Sequence, residues 1–379
     1  MKTLSYTLCA VLAAGFAFTG DAQVKPKSKK VTELKFSGRI QGQWDGIESD
    51  PSTSSEDRNH FYFRRLFLGG HAKAGDNWGG DIVMDFAASP NTEGSGKGDQ
   101  VFIDGASVWY KHSDAFRVDL GQKKVPFGVE ETTSSSKLKA IERSAVNRQF
   151  AETLKFNARH TGLFVKGSFD GGYSYDLAAV NSGQNHNSKD SKLKDGLYDY
   201  EHNALSYFGR IQWADYETDI RKIFGVAAGV MATDPSVADD LTAYNIFGSI
   251  GTGPFNLDVE YMTGNMGNQD HVGYSAQASY AINNAPAGSW ELVYRYSTVE
   301  GKGADDLVSA KEIVRRANFD SAAAWEEVNE LDQHYFGVNY LFNGHDAKLM
   351  VGYEMNELNE ATQGQADMDG FRARVQFLF

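Results

Sequence analysis

The last nine residues of the chain, Phe371 to Phe379, alternate strictly between two kinds of side chain. Successive side chains of a strand point to opposite faces. One face therefore carries Phe371, Ala373, Val375, Phe377 and Phe379, and the other carries Arg372, Arg374, Gln376 and Leu378. Such a strand suits the end of an outer-membrane barrel, where one face meets lipid and the other meets water. The last strand of a soluble sandwich would also alternate, so this segment alone leaves both folds open.

The N-terminus has the pattern of a secretory signal peptide. Lys2 precedes an apolar run from Leu4 to Phe18, and small and polar residues lead to Ala22, after which we expect cleavage. The run is too short to cross a bilayer. The single cysteine, Cys9, lies inside this segment (residues 1–22), so the mature chain has no disulfide and no thiolate metal site.

The residues after the signal restrict the class of protein. Residues 23–33 contain the run from Lys25 to Lys30, which predicts a basic N-terminal tail that is either solvated or in contact with anionic headgroups. The formal net charge of the chain is −13, which argues against a nucleic-acid partner. No apolar stretch of helical membrane-spanning length follows the signal, so a membrane form of this chain must cross with strands.

Segments of about ten residues with apolar side chains at every second position recur from residue 34 to residue 379. Trp290, Leu292, Tyr294 and Tyr296 form one of the clearest. The pattern predicts strands at 34–45, 60–74, 78–88, 101–112, 116–125, 158–169, 172–181, 202–213, 222–233, 241–251, 254–264, 272–283, 288–299, 332–342, 346–356 and 370–379. We therefore predict an all-β fold, a 16-stranded antiparallel transmembrane β-barrel over residues 34–379.

The connections between these strands alternate between long and short. Short ones include 75–77, 113–115, 170–172, 251–253 and 343–345, and the expected long ones are 46–59, 89–100, 126–157, 182–201, 234–240, 265–271, 300–331 and 357–369. Outer-membrane barrels have short periplasmic turns and long outer loops, whereas a sandwich has no reason to sort its loops in this way. The composition of 303–330 favours one or two short helices in an outer loop.

The most specific motif of the chain begins within the fifth predicted strand. Gly121-Gln-Lys-Lys-Val-Pro-Phe-Gly128 runs into the Ser/Thr-rich stretch from Val129 to Ser135 and then into Ile141-Glu-Arg-Ser144. This motif resembles that of the phosphate-selective porin O and P family. Weaker matches are Arg64-Arg65, Gly209-Arg210, Glu291 and Arg295-Tyr296, and the resemblance covers about residues 34–379.

The resemblance implies a sixteen-stranded barrel, usually a trimer, with loop three folded into the lumen. It also implies a ladder of arginines along the pore wall and a lysine at the constriction. Lys124 matches the motif lysine, Arg65 the paired arginine of strand two, and Arg143 the loop-three arginine. Relatives often continue Arg-Arg-x-Arg where this chain has Phe67, so we expect one rung of the ladder to be missing.

Inward cations are what an anion pore needs, because charges in the lumen focus the field on the ion path. Alternation with apolar neighbours predicts that Arg39, Arg210, Arg295 and Arg374 point inward, but it does not place Arg65, whose strand is apolar on both faces. Guanidinium groups suit phosphate because their planar fork binds its oxygens bidentately. The same parity points several carboxylates inward, namely Asp81, Asp85, Asp258, Glu260, Glu291 and Glu354. These leave open a general or cation-leaning pore.

The sequence thus predicts a porin for passive diffusion of small anions, with inorganic phosphate or related oxyanions preferred, in the outer membrane of a Gram-negative bacterium. The predicted anion path contains Arg39, Arg65, Arg210, Arg295 and Arg374 along the wall and Lys124 with Arg143 at the constriction. We expect outer-membrane lipid and two further copies of the chain as partners, and no catalytic residue, metal or cofactor. The alternatives are a non-selective or cation-leaning porin and a surface receptor or adhesin.

Overall fold

The structure is a computed structural model in which part of the chain is described. The described residues are 31–50, 58–87, 101–156, 159–181, 205–232, 240–266, 269–282, 288–303, 306–310, 313–314, 325–362 and 364–379. The predicted signal peptide, residues 1–22, and the tail up to residue 30 lie outside them. The first strand of the structure begins at Glu33.

The fold is a closed antiparallel barrel of sixteen strands, as predicted. Its strands are β1 (Glu33–Asp50), β2 (Arg58–Ala74), β3 (Trp78–Asp85), β4 (Phe102–Ser113), β5 (Phe116–Lys124), β6 (Arg159–Phe169), β7 (Tyr173–Asn181), β8 (Leu205–Asp215), β9 (Ile220–Met231), β10 (Leu241–Thr252), β11 (Phe255–Met266), β12 (Gln269–Ile282), β13 (Ser289–Gly301), β16 (Glu330–His345), β17 (Ala347–Glu360) and β18 (Gly364–Leu378). Two short strands, β14 (Val308–Ser309) and β15 (Glu327–Val328), pair separately. The barrel closes where β1 pairs with β18.

The two faces of the wall differ in chemistry as the alternation predicts. On β18, Phe371 and Phe377 are 54% and 45% exposed. Arg372 and Arg374, which lie between these two residues in the sequence, are each 1% exposed. Exposed aromatic and aliphatic side chains continue around the outside, with Phe36, Trp290, Tyr294 and Phe379 among them. The outer surface is therefore the apolar one, and the cations of β18 point into the barrel.

The connections at one end are short turns at the expected places. Gly75 and Gly344 have positive φ angles of 68° and 53°, a left-handed conformation that glycine adopts without a steric penalty. At the other end the predicted long connections 265–271 and 357–369 are wrong. Polar residues continue the ladders there, for example Asn265 opposite Asp270, so that only two or three residues join the strands. Strand pairing above the apolar band needs no apolar side chains, which is why periodicity missed it.

Helical structure is short throughout the described part of the chain. The connection between β5 and β6 contains α1 (Val129–Thr132), α2 (Ala145–Arg148) and a π-helical turn at Gln149–Thr153. Of the helices expected within 303–330, Ile313 and Val314 are helical, and most of the remaining positions lie outside the described residues. No helix in the described ranges is long and apolar enough to cross a membrane.

Candidate functional site

The apolar side of the segment between β5 and β6, residues 125–156, packs against residues of β6 to β10. Phe127, Phe150 and Phe156 form a buried aromatic cluster with ring centroids 5.7 to 6.4 Å apart. The Phe156 ring meets Phe208 of β8 edge-on, with 6.3 Å between centroids. The core continues into inward apolar residues of β6, β7 and β9, such as Val180 and Met231. Hydrophobic burial therefore fixes this side of the segment to one arc of the barrel.

The polar side of segment 125–156 is hydrogen-bonded to the wall. Glu260 of β11 accepts from the backbone amides of Val129 (2.5 Å) and Glu130 (3.2 Å). Lys348 of β17 donates to the Leu138 carbonyl (2.8 Å). Further bonds come from Arg39 and Gln41 on β1, Arg64 on β2, Arg210 on β8, Arg295 on β13, Asn339 on β16, and Arg374 and Gln376 on β18. These bonds alone join the segment to eight strands of the barrel.

A β-bulge explains how two consecutive arginines of β2 reach the same face. The register pairs Gln41 with Arg65 and the next residue of β1, Gly42, with Phe63, which leaves Arg64 as the extra residue. A bulge of this kind sets two residues against one on the partner strand and redirects side chains. Arg64 binds Glu142 at 2.8 Å, and Arg65 donates to the Gln41 side chain at 3.1 Å. Arg65 therefore lies on the inner face, although parity alone did not place it.

Glu142 of segment 125–156 lies at the centre of a cluster of arginines. Its carboxylate binds Arg64 (2.8 Å), Arg148 (2.7 Å) and Arg374 (2.6 Å), and it is 3% exposed. Arg295 donates to the Glu142 carbonyl at 2.8 Å. A buried carboxylate with three cationic partners binds them strongly, because a low local dielectric strengthens charge-assisted hydrogen bonds. This carboxylate joins β2 and β18 to the segment.

Glu131 forms a second buried ion cluster with the two cations predicted for the constriction. Lys124 lies 2.5 Å and Arg143 2.8 Å from its carboxylate oxygens. Burial acts to raise the pKa of Glu131, but Arg143 and Lys124 outweigh it and lower the pKa below the ordinary value. The carboxylate is therefore ionised at neutral pH. Arg143 also donates to the carbonyls of Glu130, Glu131 and Thr133.

The other predicted path residues on the wall also have acidic or polar partners. Arg210 forms an ion pair with Asp176 at 2.7 Å. Arg295 is 1% exposed and binds Glu130 (3.0 Å) and Gln333 (2.9 Å). Arg374, also 1% exposed, binds Glu142 and the Gln43 side chain. In this arrangement the positive charges of Arg295 and Arg374 are matched by the carboxylates of Glu130 and Glu142.

Three inward cations differ from these because no carboxylate of the described residues pairs with them. Arg39 donates to the hydroxyls of Ser135 (2.5 Å) and Ser134 (3.0 Å), and its guanidinium lies 5.3 Å from the Phe67 ring centroid. Arg65 donates to Gln41, and Lys348, 1% exposed, donates to a backbone carbonyl. Phe67, at the expected missing rung, thus stacks against a cation instead of supplying one.

Sequence reasoning therefore placed most of the cations on the inner face but missed the role of several residues. Lys348 was not singled out, although it alternates with the outward Leu349 and Val351 and parity would have found it. Glu142 lies within the Ile141–Ser144 motif, but nothing local to that motif indicates that its partners are Arg64 and Arg374.

The described residues contain no group of three or more His, Cys, Asp or Glu side chains able to hold a metal ion.

A cavity of about 620 Å³ lies between residues 129–139 and the inner faces of β9–β13. Its lining is mixed, with hydroxyl and amide groups, cations and carboxylates. Arg221 and Pro254, near the short-turn end of the barrel, line it together with Lys137 of the opposite segment. The barrel interior thus contains a space for a small solute beside the ion clusters.

Comparisons with known proteins agree with this architecture. The family model described as phosphate-selective porin O and P matches residues 34–379. Porin O of Pseudomonas aeruginosa is 24% identical over 451 aligned positions, covering 100% of this chain and 98% of that protein. An anion-selective porin from Comamonas acidovorans superposes with a TM-score of 0.63 at 12% identity, covering 91% of this chain and 99% of that one. OmpT of Vibrio cholerae, in a trimer form, superposes with a TM-score of 0.54 at 12% identity, covering 91% and 99%.

Proposed function

Because this chain belongs to the phosphate-selective porin O and P family, we propose that it allows passive diffusion of small anions, with inorganic phosphate or related oxyanions preferred. Family and fold indicate an outer-membrane channel rather than an enzyme. The anion-selective character of the Comamonas acidovorans porin, a protein of the same fold, supports the proposal.

We infer that segment 125–156 lies in the lumen and forms the constriction. Its partners are side chains of the inner face, and they come from strands on opposite sides of the barrel, for example Glu260 on β11 and Arg374 on β18. Its aromatic cluster on the β6–β10 arc supports the same position. A segment held in this way narrows the path of every solute that crosses.

The observation that carries the anion proposal is that Arg39, Arg65 and Lys348 are bound by hydroxyl, amide and carbonyl groups and form no salt bridge with a carboxylate of the described residues. Lys137 and Arg221 also form none, but they line the separate cavity beside β9–β13. A buried or half-buried charge that lacks an opposite charge is costly, since protein and carbonyl dipoles replace its hydration only in part. A bound anion would offset that cost. The Ser134 and Ser135 hydroxyls beside Arg39 add hydrogen-bond partners of the kind that phosphate oxygens accept.

We divide the predicted path residues into two groups accordingly. Arg39 and Arg65 form the group that contacts the ion, and Lys348, which the sequence did not single out, belongs to the same group. Lys124, Arg143, Arg295 and Arg374 are positioning residues, because their partners Glu131, Glu130 and Glu142 use their charge to hold the constriction segment. Arg210, paired with Asp176, contributes a weaker rung nearer the short-turn end.

We further propose that the working unit is a homotrimer embedded in outer-membrane lipid. Family membership supports this, and so does the trimer form of the Vibrio cholerae OmpT, which has the same fold. The exposed apolar outer face, with Phe371 and Phe377 on β18, is chemically suited to lipid and to a neighbouring barrel.

The test is single-channel current through the purified protein in planar bilayers. Under a potassium chloride gradient, the zero-current potential should have the sign of anion selectivity, and added phosphate should reduce the chloride current. A cation-selective potential, or a chloride current that phosphate leaves unchanged, would favour the general-porin alternative.

A matched pair of variants assigns the selectivity to residues. Arg39→Gln should raise the half-blocking phosphate concentration by roughly tenfold, since a charge-assisted hydrogen bond contributes about 1.5–3 kcal/mol. Arg117→Gln removes an inward arginine that is already paired with Asp119 at 2.6 Å, and should leave phosphate block within about twofold of the wild type. Equal effects of the two variants would contradict the division into contacting and positioning cations.

A further inference from the structure

We propose that the cavity between residues 129–139 and strands β9–β13 binds a small zwitterion, a solute with one ammonium and one carboxylate group. This site is separate from the anion-contacting cations Arg39, Arg65 and Lys348. None of those three lines the cavity.

The size of the cavity fits a small solute. Its volume of about 620 Å³ lies within the range of roughly 300–1,000 Å³ that small-molecule sites occupy. Hydroxyl and amide side chains on β10–β12 provide uncharged hydrogen-bond partners: Ser249, Asn256, Ser275, Gln277 and Ser279. Such a lining binds a polar solute and repels neither a positively nor a negatively charged group.

The formal charge of the lining is balanced. Its cations are Lys137, Lys139, Arg221 and Arg295, and its carboxylates are Glu130, Asp258, Glu260 and Glu291. This balance contrasts with the surroundings of Arg39, where cations exceed carboxylates. A cavity with equal numbers of both signs favours a solute that itself carries both signs, because each charge can be matched without a net electrostatic cost.

Several of these charges already have partners within the protein. Lys139 pairs with Asp258 at 3.2 Å, and Arg295 pairs with Glu130 at 3.0 Å. Glu260 accepts the amides at the start of α1. These groups shape the cavity but are less available to a solute.

The remaining charges are the ones a solute can use. Lys137 and Arg221 are exposed, and among the described residues no carboxylate pairs with either. Glu291 of β13 accepts a hydrogen bond from the neutral amide of Asn339 at 2.9 Å and forms no salt bridge in the described part of the chain, although its charge also acts on Lys348 of β17. We assign the solute carboxylate to Arg221 and Lys137, and its ammonium to Glu291.

The local structure keeps Arg221 accessible from the lumen. Its cross-strand partner on β10 is Gly251, and a side chain added there would come within 2.8 Å of the Arg221 guanidinium. The neighbouring Lys222 pairs with the outward Ile250 and therefore lies on the other face of β9. Arg221 and Lys222 are therefore a matched pair for comparison, because they are adjacent in sequence and lie on opposite faces of β9.

The experiment compares three probes of equal carbon chain in planar bilayers: γ-aminobutyrate, which carries both charges, butyrate, and n-butylammonium. We expect γ-aminobutyrate to reduce the potassium chloride current saturably, at a half-blocking concentration at least roughly tenfold below that of either singly charged probe. Block by butyrate alone that equals block by γ-aminobutyrate would overturn the zwitterion assignment and indicate a plain anion site.

Variants locate the effect. Arg221→Gln and Glu291→Gln should each raise the half-blocking concentration of γ-aminobutyrate by roughly tenfold, whereas Lys222→Gln should leave it unchanged. Heat-dependent gel migration verifies that each barrel is folded. Unchanged block in both Arg221→Gln and Glu291→Gln would refute the site.

Phosphate block of the same channels separates this inference from the proposed function. Arg221→Gln should leave phosphate block intact, because phosphate is assigned to Arg39, Arg65 and Lys348. Loss of phosphate block with zwitterion block retained would refute only the anion proposal, and the reverse result would refute only the zwitterion site.

Discussion

The substitution Glu142→Gln should release the constriction segment while leaving the barrel intact. The carboxylate is 3% exposed and binds Arg64, Arg148 and Arg374 at 2.6 to 2.8 Å. Glutamine retains one acceptor oxygen but removes the charge that the half-buried Arg64 shares with the buried Arg148 and Arg374. Removing one partner of a buried ion pair costs about 3–5 kcal/mol. That loss falls on the attachment of the segment, because the strand ladders do not involve this side chain.

Hydrogen exchange of backbone amides in detergent micelles measures this attachment directly. A loss of about 3–5 kcal/mol corresponds to exchange faster by roughly a hundredfold or more for amides whose exchange requires local opening. The effect should be confined to residues 139–148. The apolar end of the segment, held by Phe127 and Phe156, and the barrel strands should keep their protection.

The control is Glu48→Gln, which neutralises an exposed carboxylate of β1. In Glu48→Gln, no amide exchange rate should change by more than a few-fold, since an exposed charge contributes about 0–1 kcal/mol to stability. Unchanged exchange at 139–148 in Glu142→Gln would refute the role of the arginine cluster. Equal acceleration across the barrel strands would mean that the carboxylate stabilises the whole fold instead.

Three other predictions follow from the inner face. Lys348→Gln should raise the half-blocking phosphate concentration roughly tenfold and Lys348→Arg should restore block, and failure of both would remove this residue from the anion path. Phe67→Arg should shift the zero-current potential further towards anion selectivity, since it adds a cation to the inner wall, and an unchanged potential would contradict that position. Acidification should leave the protection factors of the Thr132 and Thr133 amides unchanged down to pH 4.5, the ordinary pKa of the Glu131 carboxyl. Burial acts to raise the pKa of Glu131, but Arg143 and Lys124 outweigh burial and lower it. The depressed pKa means that stabilisation is present above pH 4.5 and is lost as the pH falls through the lowered pKa, so loss of protection at or above pH 4.5 would refute the ion cluster.

The barrel itself was predictable because its physics is periodic. Lipid on one side and water on the other impose a period of two on every strand, and this period is visible locally in stretches such as Phe371 to Phe379. The lengths of the strands were less predictable. Pairing between Asn265 and Asp270 extends two strands with polar residues, which leave no apolar signal.

The face of Arg65 was not predictable, because counting parity assumes an unbroken ladder. The bulge at Arg64 shifts the count by one, and it becomes visible only in the register between Gln41 and β2. The sequence therefore identified the arginine pair as notable but gave no means of placing both members on one face.

The partners of the cations were beyond the sequence for a different reason. Arg374 and Glu142 are 232 positions apart, and alternation states which way a side chain points but not what it meets. Without those partners, every inward arginine looked equally available to an ion. The contrast between Arg374, which forms a salt bridge with Glu142, and Arg39, which binds the Ser134 and Ser135 hydroxyls, becomes visible only in the contacts that segment 125–156 makes.

The central claim is that the anion binds at the cations without a counter-ion and not along the whole series of inward arginines. Crystals of the protein soaked with arsenate, a heavier analogue of phosphate, test it through the anomalous scattering of arsenic. The account predicts an anomalous peak within hydrogen-bond distance of the Arg39 guanidinium and the Ser135 hydroxyl. A peak at Arg295 or Arg374 with none at Arg39, or no ordered arsenic in the barrel at all, would contradict it.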